Sequence, residues 1–298
     1  MITKKNKLSN NSISKKSAWS LILIAKEAAP TDKKTITISK NIKGLIHKIV
    51  YDLEKQKIIK KNFKSNKAAD NLFKMYLPII FNLSRGPYLI GHLAQTLDGF
   101  IATKSGESKY ISSKENLEHI HMLRAISDII LVGANTVKLD NPKLTTRLVR
   151  GKSPMRFILD KDNKLKNNYN VFTNKDGNGY RITNSDHKTN DLNTFQLPTI
   201  NGFFDEEDII RLFNKLNKKI VFIEGGGITV SNFYNQRLLN RLHICISPII
   251  LGKGKNSFIC PKEKIMDNIL EHETEYYLMG DDILCDINLF LPDIKDKI

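Results

Sequence analysis

Short apolar segments separated by segments of helical spacing constrain the fold of this chain more than any other feature. Apolar runs bounded by turn-forming residues are typical of strands buried in a sheet that is covered on both faces. The predicted strands are 88–95, 128–133, 155–160, 220–224 and 242–251, with weaker ones at 169–172 and 180–183, and the predicted helices are 112–126, 205–216 and 228–234. The Ser-x-x-Glu pattern beginning at Ser112 marks the start of the first helix. A hairpin over residues 275–291, with its turn at 280–282, closes the pattern. Together these elements predict an α/β domain with a mixed, mostly parallel sheet flanked by helices and a C-terminal hairpin.

The turn-forming cluster at residues 84–87 divides the chain. We predict a short N-terminal extension over residues 1–85 and the main domain over 86–298. Within the extension we predict a disordered tail at 1–17, an amphipathic helix at 18–25, a strand at 35–38 and helices at 43–59 and 67–76. The extension is too small and too rich in lysine to form an independent core, so we expect it to dock on the main domain.

Positive charge is concentrated in the extension. Residues 1–85 hold 19 Lys and Arg against 5 Asp and Glu, whereas residues 86–298 hold 28 against 26, within a net charge of +16. A basic arm of this kind can bind nucleic acid through its phosphates. A solvated lysine-rich surface is the alternative that we favour, so no nucleic-acid partner is expected.

The N-terminal residues and the cysteines bear on the cellular compartment. Lysines followed by the apolar run 18–25 resemble a secretory signal, but the run is short and Lys26 and Glu27 follow it. The cysteines Cys245, Cys260 and Cys285 are widely spaced, which favours a reduced protein without a zinc cluster. The longest uncharged apolar stretch is far short of the roughly 18 residues of a membrane span. We therefore expect a cytoplasmic protein that binds no metal and no membrane.

A run of three glycines, Gly225, Gly226 and Gly227, lies between a predicted strand and a predicted helix. Glycine permits close approach of the backbone to a ligand, and the free N–H groups of the following helix suit a pyrophosphate. A plain tight turn is an equally good interpretation of the glycines alone. Glu224 is harder to assign to a purely structural role, since ligands of α/β sheets bind at the carboxyl ends of strands.

Further polar residues could form an anion site or hold a general base. Converging arginines would bind a phosphomonoester, although a single arginine is more often solvated surface charge. We expect structural roles for His92 and His121, and a hydrogen-bonded turn at Asp98. The candidate cluster consists of Ser105, Gly106, Glu107, Ser108, Arg124, Thr136, Asp140 and Arg147.

Seven motifs follow one another along the second part of the chain. They are YLIGHLAQTLDGFIA at 88–102, SGESKYIS at 105–112, HMLRA at 121–125, ILVGANTVKLDNPKLTTR at 130–147, FILD at 157–160, IEGGG at 223–227 and ISPIILG at 246–252. In this order they resemble the reductase domain of the bifunctional deaminase–reductase of riboflavin biosynthesis. The resemblance covers about residues 86–290 and implies a dihydrofolate-reductase-like fold that uses NADPH. The family's deaminase motifs, H-x-E and P-C-x-x-C, do not occur, so the chain looks like a stand-alone reductase.

The resemblance also implies site residues. The substrate would be contacted by Ser108, Arg124, Leu144, Arg147 and Glu224, with the arginines and the serine around its phosphate. NADPH would be contacted by Ala94, Tyr110, Thr136, Asp140, Lys161, Gly225, Gly226, Gly227, Ile228 and Thr229. The chain departs from the family at His92, where the bifunctional enzymes usually carry lysine, at Gln95, and at Tyr110, which replaces a common tryptophan.

The implied activity is the NADPH-dependent reduction of 5-amino-6-(5-phosphoribosylamino)uracil to its ribitylamino form. Glu224 is the candidate for holding the pyrimidine or the sugar hydroxyls, and Asp140 the candidate for orienting the nicotinamide or relaying a proton. A reductase acting on another pyrimidine or pterin-like compound and a nucleic-acid-binding protein are the alternatives. We expect a homodimer, in which the apolar strand 242–251 could pair across the interface.

Overall fold

The computed structural model describes residues 12–28, 34–82, 84, 86–108, 111–174, 178–187, 191–259 and 272–289. The chain divides into two compact units, Met1–Ser84 and Arg85–Ile298. No helix within the described ranges is long and apolar enough to cross a membrane.

The first unit combines two helices with a three-stranded antiparallel sheet of order β2-β3-β4. Its elements are β1 (Ser12–Ile13), α1 (Lys15–Glu27), β2 (Thr35–Ile42), β3 (Leu45–Asp52), β4 (Lys57–Lys61), β5 (Lys64–Ser65) and α2 (Lys67–Ile80). Ser14 and Asn66 cap the two helices, because their side chains accept from the backbone N–H three residues later. Trp19 of α1 packs edge-to-face on Tyr76 of α2, with ring centroids 5.5 Å apart. The unit therefore has a core shared between its own elements, which differs from our expectation for so short and basic a segment.

Two predictions for the first unit are wrong. Residues 43–59 form strands β3 and β4 and not a helix. His47, Ile49 and Tyr51 are buried, whereas Lys48 and Val50 between them are more exposed, which is the period of two of a strand. The preceding turn is a tight hairpin, with positive φ at both Lys43 (53°) and Gly44 (81°). The predicted tail is ordered from residue 12, and residues 14–17 cap and begin α1. The rest of that tail lies outside the described residues.

The second unit contains a nine-stranded mixed sheet. Its strands and helices are β6 (Tyr88–Thr96), β7 (Phe100–Ala102), α3 (Lys114–Ile126), β8 (Ile129–Gly133), α4 (Ala134–Asp140), β9 (Met155–Leu159), α5 (Asn170–Thr173), β10 (Gly179–Asn184), β11 (Thr194–Leu197), β12 (Thr199–Ile200), β13 (Phe203–Phe204), α6 (Glu206–Lys215), β14 (Ile220–Glu224), α7 (Gly227–Asn235), β15 (Arg241–Ser247), β16 (Lys255–Asn256), β17 (Thr274–Met279) and β18 (Asp282–Asn288). The sheet order is β11-β10-β9-β8-β14-β6-β15-β18-β17. All pairings from β11 to β15 are parallel, and those of the β17–β18 hairpin are antiparallel. This confirms the predicted mixed sheet and its C-terminal hairpin, and it brings the carboxyl ends of the parallel strands to one edge.

The two faces of the sheet differ in chemistry. One face packs against α6 and α7 in an apolar core that includes Leu89, Val221, Phe213 and Phe233. The opposite face packs against α3 and buries polar groups as well as apolar ones, among them His92 on β6. The polar face reaches the carboxyl edge at Glu224, so the candidate site grows out of the α3 side of the sheet.

Three predictions in the second unit need correction. Residues 169–172 lie mostly in the short helix α5 and do not form a strand. Strand β15 ends at Ser247, because Pro248 lacks the N–H that a ladder requires. The N-cap of α3 is Ser113 and not Ser112: the Ser113 Oγ accepts from Asn116 N at 3.1 Å, whereas the Ser112 Oγ accepts from the Asn116 side chain.

Candidate active site

Arg124 and Glu224 form the centre of the site. Arg124 lies in the last turn of α3, and Glu224 is the last residue of β14. The Arg124 Nε donates to Glu224 Oε2 at 2.7 Å, and Arg124 Nη2 donates to Oε1. Both side chains are largely buried, with 7% and 16% of their surface exposed. This bidentate pair fixes the plane of the Glu224 carboxylate at the edge of the sheet.

Helix α3 also holds the segment that carries the other predicted substrate residues. Arg124 Nη1 donates to the carbonyl oxygen of Thr145 at 3.0 Å. The ring of His121, one turn earlier, accepts at Nδ1 from the backbone N–H of Arg147 at 3.0 Å. Leu144, at the start of this segment, is buried and has a positive φ of 53°. The two α3 side chains therefore set the position of residues 144–147 relative to Glu224.

His121 is a neutral hydrogen-bond acceptor. Burial, followed by the nearby charges of Arg124 and Arg147, lowers the pKa of His121 to about 4. Nδ1 accepts from the backbone amide of Arg147, and Nε2 lies 3.4 Å from Arg124 Nη1. These contacts agree with the structural role that we predict for His121.

The side chain of Arg147 is exposed and adds a positive charge near the Arg124–Glu224 pair. Burial and then the charge of Arg124 lower the pKa of Arg147, and Glu224 opposes them. The guanidinium groups of Arg124 and Arg147 repel each other, and a bound anion would offset that repulsion. Arg147 is the more exposed of the two, so the anion would bind beside it. Arg147 is therefore better placed than Arg124 to bind a phosphate, because Arg124 is already bonded to Glu224.

The glycine run forms a bend between β14 and α7. Gly225 and Gly226 have positive φ values of 77° and 70°, which glycine adopts easily and other residues rarely adopt. Helix α7 begins directly after them at Gly227 with no side-chain cap. Its first N–H groups thus lack the usual side-chain acceptor, as they would in an anion site.

Two threonines complete a cradle around the glycines. A Cβ placed on Gly226 would lie 3.3 Å from Thr136 Oγ1 and 3.4 Å from Thr229 Oγ1. A Cβ on Gly133 would lie 3.0 Å from the same Thr229 oxygen, and α4 follows Gly133 without a side-chain cap. The bare glycines therefore leave room beside two hydroxyl groups and the starts of two helices.

The loop of residues 103–108 lies against the end of α4. Thr103 closes the loop, since its N–H donates to Glu107 O at 2.9 Å and its Oγ1 accepts from Glu107 N at 3.0 Å. A Cβ on Gly106 would lie 3.6 Å from Leu139 Cδ1. Burial raises the pKa of the adjacent Asp140, and the charge of Lys255 opposes that shift. The loop and Asp140 thus border the same part of the carboxyl edge.

The sequence of the second unit matches a known family. The model of the RibD C-terminal domain family matches residues 87–281. The chain belongs to the RibD C-terminal domain family. A riboflavin biosynthesis protein RibD of Aquifex aeolicus is 31% identical over 202 residues, which are 66% of this chain and 56% of that protein. The 2,5-diamino-6-ribosylamino-4(3H)-pyrimidinone 5′-phosphate reductase of Methanothermobacter thermautotrophicus is 27% identical over 208 residues, which are 66% of this chain and 96% of that protein.

Solved structures of RibD proteins share the fold. The Acinetobacter baumannii RibD superposes with a TM-score of 0.61 at 22% identity, covering 76% of this chain and 65% of that chain. The Saccharomyces riboflavin biosynthesis reductase Rib7 superposes with a TM-score of 0.56 at 21% identity, covering 69% of this chain and 90% of that chain. At these identities the likeness establishes the RibD reductase fold alone.

The RibD fold brings most of the predicted site residues to one edge. Arg124, Leu144, Arg147 and Glu224 form one cluster. Thr136, Gly225, Gly226, Gly227 and Thr229 form the glycine cradle. Five other predicted residues lie elsewhere: Ala94 near the carboxyl end of β6, Ser108 in the loop after β7, Asp140 at the end of α4, Lys161 after β9 and Ile228 in the first turn of α7.

The positions of these outer residues differ. Lys161 follows β9, two strands from β14, and its Nζ lies 3.3 Å from Asp162 Oδ1. Ser108 and Ile228 are exposed. Tyr110 lies outside the described residues.

Several polar contacts of the site had no local sequence signal. His92 is buried, and its Nε2 lies 3.1 Å from Asn116 Oδ1 on α3. Gln95 on β6 is hydrogen-bonded through its side chain to Ser257 Oγ, which is 162 residues away in the chain. Asp98 forms the predicted structural turn, but its carboxylate also accepts from the N–H of Leu251 at 3.0 Å. Such pairs join distant segments, so only the sheet order reveals them.

Proposed function

We propose that the chain is the NADPH-dependent reductase that converts 5-amino-6-(5-phosphoribosylamino)uracil to its ribitylamino form. The observation that carries the proposal is the Arg124–Glu224 pair beside Arg147, at the strand edge that also bears the glycine cradle. A carboxylate fixed beside an exposed guanidinium suits a ligand with both hydrogen-bond donors and a phosphate. Membership of the RibD C-terminal domain family supports the same reaction class.

The cradle fits a dinucleotide pyrophosphate. Its bare glycines, its two threonine hydroxyls and its uncapped helix starts offer donors without side chains that would block close approach. Lys161, at the end of β9, would contact the 2′-phosphate that distinguishes NADPH from NADH. When bound, NADPH supplies the hydride that reduces the sugar carbon C1′.

The protein contributes orientation and charge. Glu224 accepts hydrogen bonds from the amino or N–H groups of the pyrimidine, and Arg124 holds its carboxylate in one plane. Arg147 binds the phosphate at the other end of the substrate. Asp140 ends α4 beside the loop 103–108 and is the candidate for relaying a proton to the ring oxygen of the sugar. The loop 103–108 borders this part of the site and would limit access of water.

The test is oxidation of NADPH by the purified chain, with the deaminated phosphoribosylamino-pyrimidine and, in parallel, its diamino precursor. We expect turnover of the deaminated compound. An Arg147→Ala variant should raise its KM by about tenfold or more, as expected for loss of a charge-assisted phosphate contact. Arg211→Ala is the matched control, because Arg211 is exposed on α6 and pairs with Asp208.

Three other outcomes would change the proposal. Preferred turnover of the diamino compound would reassign the substrate to the one in the name of the Methanothermobacter relative. Binding of NADPH without turnover of either compound would assign the site to another pyrimidine or pterin-like substrate. Failure to bind NADPH would reject the reductase function.

A further inference from the structure

The segment from Lys255 to Ser257 lies where the parts of the candidate site meet. Strand β16 pairs antiparallel with β7, which places Lys255 opposite Ala102. The N–H of Ser257 donates to Gly99 O at 3.0 Å, so the segment is anchored at both ends of β7. None of these residues is among the predicted site residues.

The backbone of this segment closes one side of the glycine cradle. A Cβ on Gly227 would lie 2.2 Å from Ser257 O and 2.9 Å from Asn256 O. Only glycine fits there, so the segment is held in contact with the first residue of α7. The hydrogen bond between Ser257 Oγ and Gln95 fixes it to the end of β6 as well.

The side chain of Lys255 reaches toward the substrate side. A Cβ on Gly106 would lie 3.0 Å from Lys255 Nζ, so the ammonium rests on the loop 103–108. Leu139 touches the same glycine from α4, and Asp140 follows it. The charge of Lys255 acts on Asp140, although no ion pair joins them among the described residues.

The proposed ligands carry more phosphate groups than the site residues named so far have free cationic side chains. The proposed reaction brings three phosphate-bearing groups to the site: the pyrophosphate and the 2′-phosphate of NADPH, and the phosphate of the substrate. Arg147 lies in the segment between α4 and β9, whereas Lys161 follows β9, and each would bind one of them. Arg124 is committed to Glu224, and the cradle offers its ligand only neutral donors. Lys255 lies between the cradle and the loop 103–108, where its charge can add to those donors.

We propose that Lys255 is a phosphate-binding residue of this site. The inference rests on the proposed reductase function and extends it. The ligand is a phosphate oxygen, supplied either by the cofactor pyrophosphate or by the substrate phosphate. The ammonium binds it as a mobile point charge from the rim of the cradle.

The test compares Lys255→Met with two controls. Lys255→Arg keeps the charge, and Lys253→Met removes an exposed lysine two residues earlier in the same segment. The dissociation constant of NADPH is measured by nicotinamide fluorescence without substrate, and the KM of the phosphoribosylamino-pyrimidine is measured at saturating NADPH. We expect Lys255→Met to weaken one of these by about tenfold, the loss typical of one charge-assisted hydrogen bond. Lys255→Arg should restore most of the loss, and Lys253→Met should match the wild type.

The two arms distinguish the source of the phosphate. A weaker NADPH complex with an unchanged KM assigns Lys255 to the cofactor, and the reverse result assigns it to the substrate. Lys255→Met values within about twofold of the wild type for both ligands would overturn this inference alone. So would losses for both ligands that Lys255→Arg does not restore, since these would indicate a structural role for the loop. A wild-type chain that does not bind NADPH would overturn the proposed function and this inference with it.

Discussion

The Arg124–Glu224 pair links the candidate site to the packing of α3. Because both side chains are largely buried, each depends on the other for its charge partner. A substrate that contacts Glu224 therefore meets a carboxylate that already has its orientation. The cost of removing one partner includes the burial of the other without a counter-charge.

We predict that Glu224→Gln lowers kcat/KM for the pyrimidine by at least about tenfold, or about 1.4 kcal/mol of transition-state stabilisation. The amide cannot accept both Arg124 bonds, so the free energy of unfolding should also fall by about 1–3 kcal/mol. Steady-state kinetics and urea unfolding measure the two effects. Glu207→Gln is the control, since Glu207 is 62% exposed in its pair with Arg211 and should change stability by less than about 0.5 kcal/mol. A kcat/KM within about threefold of the wild type would remove Glu224 from the site.

We predict that Gly226→Ala weakens NADPH binding. The new methyl group would lie 3.3 Å from Thr136 Oγ1 and would fill the cradle, and the positive φ of 70° adds strain. Gly44→Ala separates these effects, because Gly44 has a φ of 81° but no neighbour within 4 Å of the added Cβ. Both variants should lose about 1 kcal/mol of stability, whereas only Gly226→Ala should lose affinity in a fluorescence titration. Equal affinity for both variants would show that the cradle does not bind the cofactor.

At this scale the sequence identifies types of residue better than their partners. Glu224 and the glycines could be predicted, because a carboxylate and a glycine run at the carboxyl end of a buried strand lie where α/β sheets bind their ligands. The bonding of Arg124 to Glu224 could not, since it depends on α3 lying over β14. Lys255 had no such signal, because a lysine in a Gly-Lys-Gly-Lys segment is typical of a solvated loop.

At the scale of elements, α3 is set on a layer of buried histidines. The His119 Nε2 lies 3.0 Å from His243 Nδ1, and His243 Nε2 lies 3.0 Å from Asp286 Oδ1. His92, on the strand next to His243, is bonded to Asn116 of α3. This layer joins α3, which carries Arg124, to three strands of the sheet. Its protonation should therefore affect the stability of the site.

We predict that stability falls as the pH is lowered from about 6.5 to 4. Burial, the largest cause, lowers the pKa of His92 from 6.5 to about 4. In this range the unfolded chain binds a proton at His92 and the folded chain does not, so protons favour unfolding. The shift corresponds to a loss of about 3 kcal/mol at the acid end. Urea unfolding between pH 7.5 and 4.5 measures it.

The same experiment on two variants assigns the effect. His92→Gln removes one of two titrating groups but can still donate to Asn116, so its stability should depend less on pH in this window. The remaining dependence comes from His121, whose pKa is also lowered to about 4. His187→Gln changes an exposed histidine and should leave the slope unchanged. Asp286 contributes little in this window, because the pKa of its carboxyl is lowered in the folded chain and the unfolded carboxyl, with its ordinary pKa of 3.8, is mostly ionised above pH 4.5. Parallel curves for the wild type and His92→Gln would refute the assignment.

Elements with a strong period were predicted well, and elements with a mixed pattern were not. The strands β6, β8 and β14 are continuous apolar runs. Such runs are typical of strands in a parallel sheet that is covered on both faces, so these strands could be predicted. Residues 43–59 contain apolar side chains at spacings compatible with either a helix or a strand. The two-residue turn at Lys43 and Gly44, with positive φ at both residues, favours a hairpin over a helix.

At the scale of the whole molecule, most of the positive charge and the family match lie in different units. The family match begins at residue 87, in the second unit, whereas most of the positive charge lies before it. The basic first unit therefore adds a property that the reductase fold does not require. Nucleic-acid binding through that unit stays an alternative that a salt-dependent titration would test.

The C-terminal hairpin leads to the last prediction. In the described part of the sheet, β17 is an edge strand with β18 as its neighbour. One face of the hairpin exposes Tyr276, Leu278 and Ile283, at 69%, 78% and 45% of their surface. An apolar edge of this kind promotes association unless it is covered. The predicted pairing of strand 242–251 across an interface is wrong, because β15 is hydrogen-bonded on both sides, to β6 and β18. We expect a homodimer that buries the hairpin face.

Light scattering coupled to size-exclusion chromatography measures the mass of the assembly. The wild type should elute as a dimer, and Leu278→Lys should elute as a monomer, because burying an unpaired ammonium at the interface is costly. Leu192→Lys is the matched control, since Leu192 is 96% exposed and lies outside the hairpin, so this variant should remain dimeric. A monomeric wild type at micromolar concentration, or a dimeric Leu278→Lys, would show that the hairpin face is not the interface.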